Sequence, residues 1–520
     1  MGKLFQKLFP RLNVCLIRLV KFTSLKLNPA KSYAILKRKN KPELKRKEKA
    51  MSQTKLQEIL GLLKGAVQVE RQRVKVVDEK VLQENISALI FQGVFGDGAT
   101  KAVTRWIIWE AAQALGIRPA SIHEFYMARG RGEAPINFTV PAMNLRMLAY
   151  DSARAVFRAA MKIEAGALIF EIARSEIGYT DQRPSEYASA VLAAAIKEGY
   201  RGPVFIQGDH FQASAKKFKQ HPDSEIKAIK ELIEEAIAAG FYNIDIDTST
   251  LVDISRPDLD EQQKLNYELC AEFTRFIREK QPAGVNVSVG GEIGEVGERN
   301  STEEDLEAFM KGFNRVKGEV EGVSKLSIQT GTHHGGVVLP DGTLAQVAID
   351  FDVLKRLGGL ARKKYGLGGV VQHGASTLPD SAFHKFVEVQ TCEVHLATAF
   401  QNMIMEHKAV PESLRQEMYE WVKVNAASER KPSDTEAQFI YKSRKKAVSP
   451  FKKQFWTLPE ESLRAIGEDL EKHFAFLFEQ LNIKGTKAIV EKFIKAPEIH
   501  HAEPLMVKAG KKESTEGLAD

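Results

Sequence analysis

Polar side chains able to bind a metal or move a proton stand at the carboxyl ends of short apolar runs: Asp209 and His210, Asp245 and Asp247, Glu292, His333 and His334, His373, and His395. Neutral imidazoles suit zinc, which accepts nitrogen donors in a tetrahedral shell and, in catalytic sites, leaves one position for water or substrate. Histidines from the third, sixth and seventh runs would supply such a shell if the fold brought them together. A lone His at a strand end is more often a satisfied polar residue than a ligand. Repetition of the pattern at the same end of successive runs argues for a shared site.

Convergence needs an architecture, and the texture of the chain indicates one. Short β-branched and apolar runs at 137–144, 167–173, 202–210, 242–247, 285–293, 325–334, 369–374 and 392–398 alternate with stretches of helical spacing such as SARAVFRAAMKIEAG and SEIKAIKELIEEAIAAG. Eight strand–helix units in that length predict an α/β fold, a (β/α)8 TIM barrel whose strand ends meet on one face, with additional N-terminal and C-terminal helical segments. A doubly wound open sheet is the competing topology. The expected boundaries are a basic leader over 1–50, an N-terminal helical extension over 51–134 and the barrel over 135–410. A C-terminal helical extension over 411–507, with the amphipathic PEESLRAIGEDLEKHFAFLFEQLNI, and a frayed, disordered tail over 508–520 follow.

The 520 residues are 43% hydrophobic and 27% charged, ordinary for a soluble globular enzyme and unlike a disordered or membrane protein. Cys15, Cys270 and Cys392 are far apart and form no CxxC, so neither a disulfide framework nor a thiolate zinc site is indicated, and a reducing, cytoplasmic location is expected. The net charge of +8 is unevenly spread: residues 1–50 hold 15 Lys and Arg against 2 Asp and Glu, leaving 60 basic and 65 acidic side chains, net −5, for the rest. The leader reads as a targeting or membrane-surface arm, a nucleic-acid contact, or an extension upstream of a start at Met51; we expect it to be disordered or absent from the working protein. Its apolar stretch Leu12 to Val20 is broken by Arg18 and too short to span a bilayer. Neither nucleic-acid nor membrane partners are expected.

The segments QGDHFQ, GGEIGEVGE, TGTHHGGV, VQHGAST and CEVHLATAFQN, in that order, resemble the class II, zinc-dependent ketose-bisphosphate aldolases, which include fructose- and tagatose-bisphosphate aldolases. The resemblance covers roughly 135–405. It implies Asp209 as the acid that protonates the aldehyde oxygen, and His210, His334 and His373 as ligands of a catalytic Zn2+, with His333 a neighbour. Asp247 and Glu292 match carboxylates that can hold a second or alternative metal position, for a second divalent or a monovalent cation. A mobile carboxylate must remove the carbon-bound proton; Glu298 is the candidate, with Glu295, Glu303 and Glu304 as alternatives, because EVGERNSTEED does not reproduce the family's double-glycine spacing. Gly335, Gly374, Ser376 and Thr377 lie just past strand ends, where backbone N–H groups and hydroxyls can cradle a phosphate, although the glycines equally suit turns. Thr398 and Ser175 match further phosphate contacts, and His395 stands where the family has Asn, so contacts to the substrate are expected to differ there.

The implied activity is reversible aldol cleavage of a ketose bisphosphate, of the fructose 1,6-bisphosphate type, to dihydroxyacetone phosphate and glyceraldehyde 3-phosphate. Zinc would stabilise the enediolate as a Lewis acid, making a Schiff-base lysine unnecessary. The alternatives are an aldolase for tagatose bisphosphate or another phosphorylated sugar, and a divergent barrel retained as a sugar-phosphate binder or scaffold. A homodimer or higher homo-oligomer is also implied.

Overall fold

The strands of a closed parallel barrel are covered on both faces, so nothing requires them to alternate polar and apolar residues. All five residues of each of β4 (Val140–Asn144), β5 (Ile169–Ala173), β7 (Asn243–Asp247) and β8 (Ser288–Glu292) are accordingly buried. The computed structural model describes residues 53–294, 299–331, 339–340, 349–375, 378–504, 514–515 and 517–518. The leader over 1–50 therefore lies outside the described residues. Besides those four strands, the described residues contain β1 (Val67–Glu70), β2 (Arg73–Val76), β3 (Ile117–Ala120), β6 (Gly202–Gln212), β9 (Lys325–Ile328), β10 (Val370–Gln372) and β11 (Glu393–Leu396).

Strands β4 to β11 pair in parallel, each with its successor, and β11 returns to β4 through Glu393↔Val140 to Leu396↔Met143. The sheet thereby closes into a (β/α)8 barrel, with helices between the strands. Helix Pro222–Ala238 shows how the connections begin: proline supplies the preset φ of the first turn, and Asp223 and Glu225 meet the positive end of the helix dipole. Among the described residues no helix is long and apolar enough to cross a membrane.

The segment before the barrel is mostly helical but contains three strands that helical spacing does not reveal. β1 and β2 form an antiparallel hairpin whose turn residues, Arg71 and Gln72, adopt φ of 50° and 62°. A two-residue hairpin turn wants this left-handed backbone, usually marked by Asn-Gly or Gly, and here neither marker is present. β3 adds to the barrel itself: it pairs with the amino half of β6 from Ile117↔Gly202 to Ala120↔Phe205, whereas β7 pairs further along β6. Asn243 stitches the junction, donating to the carbonyls of Ala120 (3.1 Å) and Ile206 (3.0 Å) and accepting from the Ile122 amide (2.9 Å).

Beyond the barrel, helix Glu460–Gln480 packs on helix Ala149–Lys162, where Glu471 pairs with Arg158 (2.5 Å) and Lys162 (2.5 Å). The chain then returns to the N-terminal helix Gly98–Ala114: Trp109 donates to the Ile499 carbonyl (2.7 Å) and stacks on His501 at 4.0 Å. Helix His123–Gly130, between β3 and β4, ends against the turn after helix Phe351–Tyr365. A Cβ on Gly130 would fall 1.8 Å from the Gly366 carbonyl oxygen. Gly130→Ala is therefore expected to cost about 1–3 kcal/mol, as overpacking against backbone does, read from the midpoint of urea unfolding; an unchanged midpoint would contradict this packing.

Candidate active site

The carboxyl end of β6 carries an irregularity that aims a histidine. The register with β7 shifts between Gly208 and Phe211, and His210 between them has a φ of 39°. Such bulges re-aim side chains, and a non-glycine residue held in the left-handed region is a strained position of the kind that clusters at functional sites. Gly208 permits the turn, since a Cβ there would lie 2.5 Å from the Phe211 ring.

His210 Nδ1 lies 3.0 Å from Asp247 Oδ2, and that carboxylate is itself held by Gln212 Nε2 (2.6 Å) and by the Ser249 hydroxyl (2.7 Å) and amide (3.1 Å). The other ring nitrogen, Nε2, faces His373 Nδ1 at 3.0 Å. His373, at the end of β10, has its Nε2 3.0 Å from the Ser327 hydroxyl and 3.4 Å from Glu292 Oε2. With a proton on each outer nitrogen, where the acceptors are, the two inner nitrogens present lone pairs to each other, an arrangement that repels unless a positive charge lies between them. Nitrogens bound to one tetrahedral zinc at about 2.05 Å would stand about 3.3 Å apart, so the pair fits a shared ion. Asp209, His210 and His373 offer ligand atoms all within 4.8 Å of one another. Burial opposes charge on His210, but Asp209 and Asp247 outweigh it and raise its pKa well above the ordinary imidazole value. The site attracts positive charge.

Beneath this pair the barrel interior is polar where layers of branched apolar side chains are usual. His395 Nδ1 lies 3.1 Å from both Asp209 Oδ1 and Glu171 Oε2, and its Nε2 lies 2.6 Å from Glu393 Oε1. Its ring centroid is 4.1 Å from that of His373. Lys325 Nζ reaches Glu393 Oε1 (2.5 Å), Asp245 Oδ2 (2.9 Å) and Gln207 Oε1 (2.8 Å), and the Tyr126 hydroxyl donates to the other Glu393 oxygen, Oε2. Burial disfavours charge on His395, yet Glu171 and Asp209 raise its pKa well above the usual value. Burial, reinforced by Asp209, lifts Glu171 well above the carboxylate range, and burial also lifts Asp245. Glu393 resists burial and is held low, chiefly by Lys325 and His395. Lys325 is fully enclosed, and Asp245 and Glu393 overcome burial to hold its pKa above the ordinary lysine value. An ammonium so held is no Schiff-base nucleophile, which needs a depressed pKa.

The structure thus brings together Asp209, His210, Asp245, Asp247, Glu292, His373 and His395. Gly374 follows His373 at a φ of 70°. Thr398 opens helix Thr398–Met405, its hydroxyl 3.4 Å from Arg146 Nη1. Ser175 is half-buried in the first turn of helix Arg174–Thr180 and, among the described residues, joins none of the hydrogen bonds just given. Glu303 and Glu304 are exposed at the start of helix Glu303–Val316. Glu295, Glu298, His333, His334, Gly335, Ser376 and Thr377 lie outside the described residues. Glu171, Gln207, Lys325, Glu393, Ser327 and Arg146 were not singled out from sequence. Two of them left a trace: Glu171 and Glu393 interrupt the apolar runs ALIFEIA and CEVHLAT, and the structure turns both side chains inwards to Gln207 and His395.

Among curated proteins no sequence matches this chain. Of the solved structures, fructose-bisphosphate aldolase from Campylobacter jejuni is 18% identical, with 71% of this chain and 98% of that one covered at a TM-score of 0.43. The YdjI aldolase from Escherichia coli K12 is 16% identical over 66% of this chain and 99% of its own, with a TM-score of 0.38. The fructuronate-tagaturonate epimerase UxaE from Cohnella laeviribosi is 13% identical, with 81% and 90% covered and a TM-score of 0.48. The profile of the family described as fructose-bisphosphate aldolase class-II matches residues 134–463. That span is more than half of the chain and includes Asp209 and the facing pair His210 and His373, and the chain belongs to the class II fructose-bisphosphate aldolase family.

Proposed function

We propose that the protein catalyses the reversible, zinc-dependent cleavage of fructose 1,6-bisphosphate to dihydroxyacetone phosphate and glyceraldehyde 3-phosphate. The observation that carries this reading is the pair of imidazole nitrogens, His210 Nε2 and His373 Nδ1, facing each other at 3.0 Å with their outer nitrogens anchored by Asp247 and by Ser327 and Glu292. His334 completes the ligand set in this reading. A bound Zn2+ supplies Lewis-acid stabilisation of negative charge on oxygen. Asp247 and Glu292 orient the two imidazoles in the arrangement described above, and either can serve a second cation. Asp209, buried and 3.1 Å from His395, donates the proton to the aldehyde oxygen. Glu298 is the base that removes the carbon-bound proton, and Gly335, Gly374, Ser376, Thr377 and Thr398 receive phosphate. Ser175 is a weaker phosphate candidate on its position. A cytoplasmic homo-oligomer without nucleic-acid or membrane partners completes the reading.

His395 favours a second substrate as the alternative. Its ring is committed to Asp209, Glu171 and Glu393, so it cannot reproduce the contacts of an amide, and tagatose bisphosphate is the alternative. Cleavage rates on a panel of ketose bisphosphates decide between the two, and inactivity on every member defeats both. Treatment with a chelator is expected to lower cleavage by at least about a thousandfold, the several kcal/mol a Lewis acid contributes, with recovery on adding zinc. Full activity in chelator-treated protein shown to be metal-free would sink the zinc reading.

A further inference from the structure

We propose that Arg146 receives the anionic group of the substrate and sets the enzyme's requirement for a phosphorylated ketose, an inference that rests on the aldolase reading above. Arg146 follows β4 by two residues, at the mouth of the barrel. Its Nη2 pairs with Glu176 Oε1 at 2.6 Å, its Nη1 lies 3.4 Å from the Thr398 hydroxyl, and its buried Nε has no hydrogen-bond partner among the described residues. A guanidinium offers five N–H donors, and these partners use only part of them. The side chain retains 15% exposure, so one edge is open.

Three features make this edge an anion contact and not only a brace. Glu176 does not depend on Arg146 for its position, because the Ala173 amide (2.8 Å) and the Asn144 side chain already hold it. Thr398 opens the eight-residue helix Thr398–Met405, so the guanidinium, a hydroxyl and the positive end of a helix dipole share one corner. The wall of the site is acidic, with Asp209, which acts on the guanidinium directly, and with Asp247 and Glu292 beside the two imidazoles, and an incoming phosphate needs a fixed cation to offset it. Lys325 is sealed beneath that wall, and Arg174 is committed to Glu225 through two contacts and to the Gln212 carbonyl. Although burial disfavours its charge, Arg146 is held firmly protonated by Glu176, Tyr179 and Asp209. An arginine fork in this setting matches the oxygens of a phosphate.

The test uses zinc-loaded full-length protein titrated calorimetrically with dihydroxyacetone phosphate. R146M is expected to weaken its binding about 10- to 100-fold, the range of a charge-assisted hydrogen bond, and to raise KM for the bisphosphate more than it lowers kcat. R146K should recover part of the loss. E176Q separates this role from a structural one: it breaks the ion pair but leaves the guanidinium, so binding should stay within threefold of wild type or tighten. If E176Q reproduces the R146M defect, or if R146M binds as wild type does, the proposal is overturned while the aldolase reading stands. If wild-type protein fails to bind dihydroxyacetone phosphate, the aldolase reading itself fails.

Discussion

Asp209→Ala is expected to lower turnover on fructose 1,6-bisphosphate by about 10^2- to 10^4-fold, the range for losing a positioned general acid, while metal content stays nearly unchanged. The carboxylate is buried, 3.1 Å from His395 Nδ1 and 3.8 Å from His210 Nε2. Removing it leaves the pairing of His210 with Asp247 and of His373 with Ser327 untouched, so the two facing nitrogens keep their outer anchors. His395 also keeps Glu171 and Glu393. Metal analysis beside steady-state kinetics reads both halves of the expectation. Unchanged turnover would remove Asp209 from the mechanism, and loss of metal in proportion to activity would make it a ligand instead of an acid.

The second large effect concerns stability. Lys325→Met is expected to destabilise the fold by about 3–5 kcal/mol at neutral pH, because removing one member of a buried ion cluster leaves the others uncompensated. Lys325 and Glu393 are both fully enclosed, 2.5 Å apart, and Asp245 shares the same ammonium at 2.9 Å. The sign of the pH dependence follows from Glu393. Lys325 and His395 overcome burial to depress its pKa in the native protein, so it contributes stability above the ordinary carboxylate pKa and loses it as the pH falls below that value. Without Lys325 the same burial favours the protonated acid, which the variant can adopt at little cost on acidification. The deficit of the variant should accordingly shrink between pH 7 and pH 5. Urea unfolding of chelator-treated protein at both pH values measures this, and equal stability of the two proteins at pH 7 would deny the cluster its role.

Much of the barrel was legible because its signals are local. Helical spacing between apolar β-branched runs marks a strand–helix alternation without reference to any distant contact, and Asp209, His210, His373 and His395 stood at the ends of those runs. The bounds were less legible. The run at 137–144 is a strand only from Val140, and β6 continues past His210 to Gln212, because strand limits depend on what the neighbouring strand offers to bond with. β3 escaped notice since IRPA is a short run whose partner, the amino half of β6, lies some 80 residues away.

By itself the amino-acid sequence determined the repeating units, the end of each strand at which the acids and imidazoles stand, and the family to which those segments are similar. Only the tertiary structure decided which nitrogen of which histidine faces the other, since that depends on Asp247 from β7, Ser327 from β9 and Glu292 from β8 claiming the outer nitrogens. It likewise decided that Lys325, Glu393 and Asp245 form one buried charge cluster and that Arg146 meets Thr398, residues 252 positions apart. The physical reason is that periodicity records how one segment meets a core, whereas hydrogen-bond direction and charge compensation are properties of closure, set when β11 pairs with β4 and distant strands share one interior.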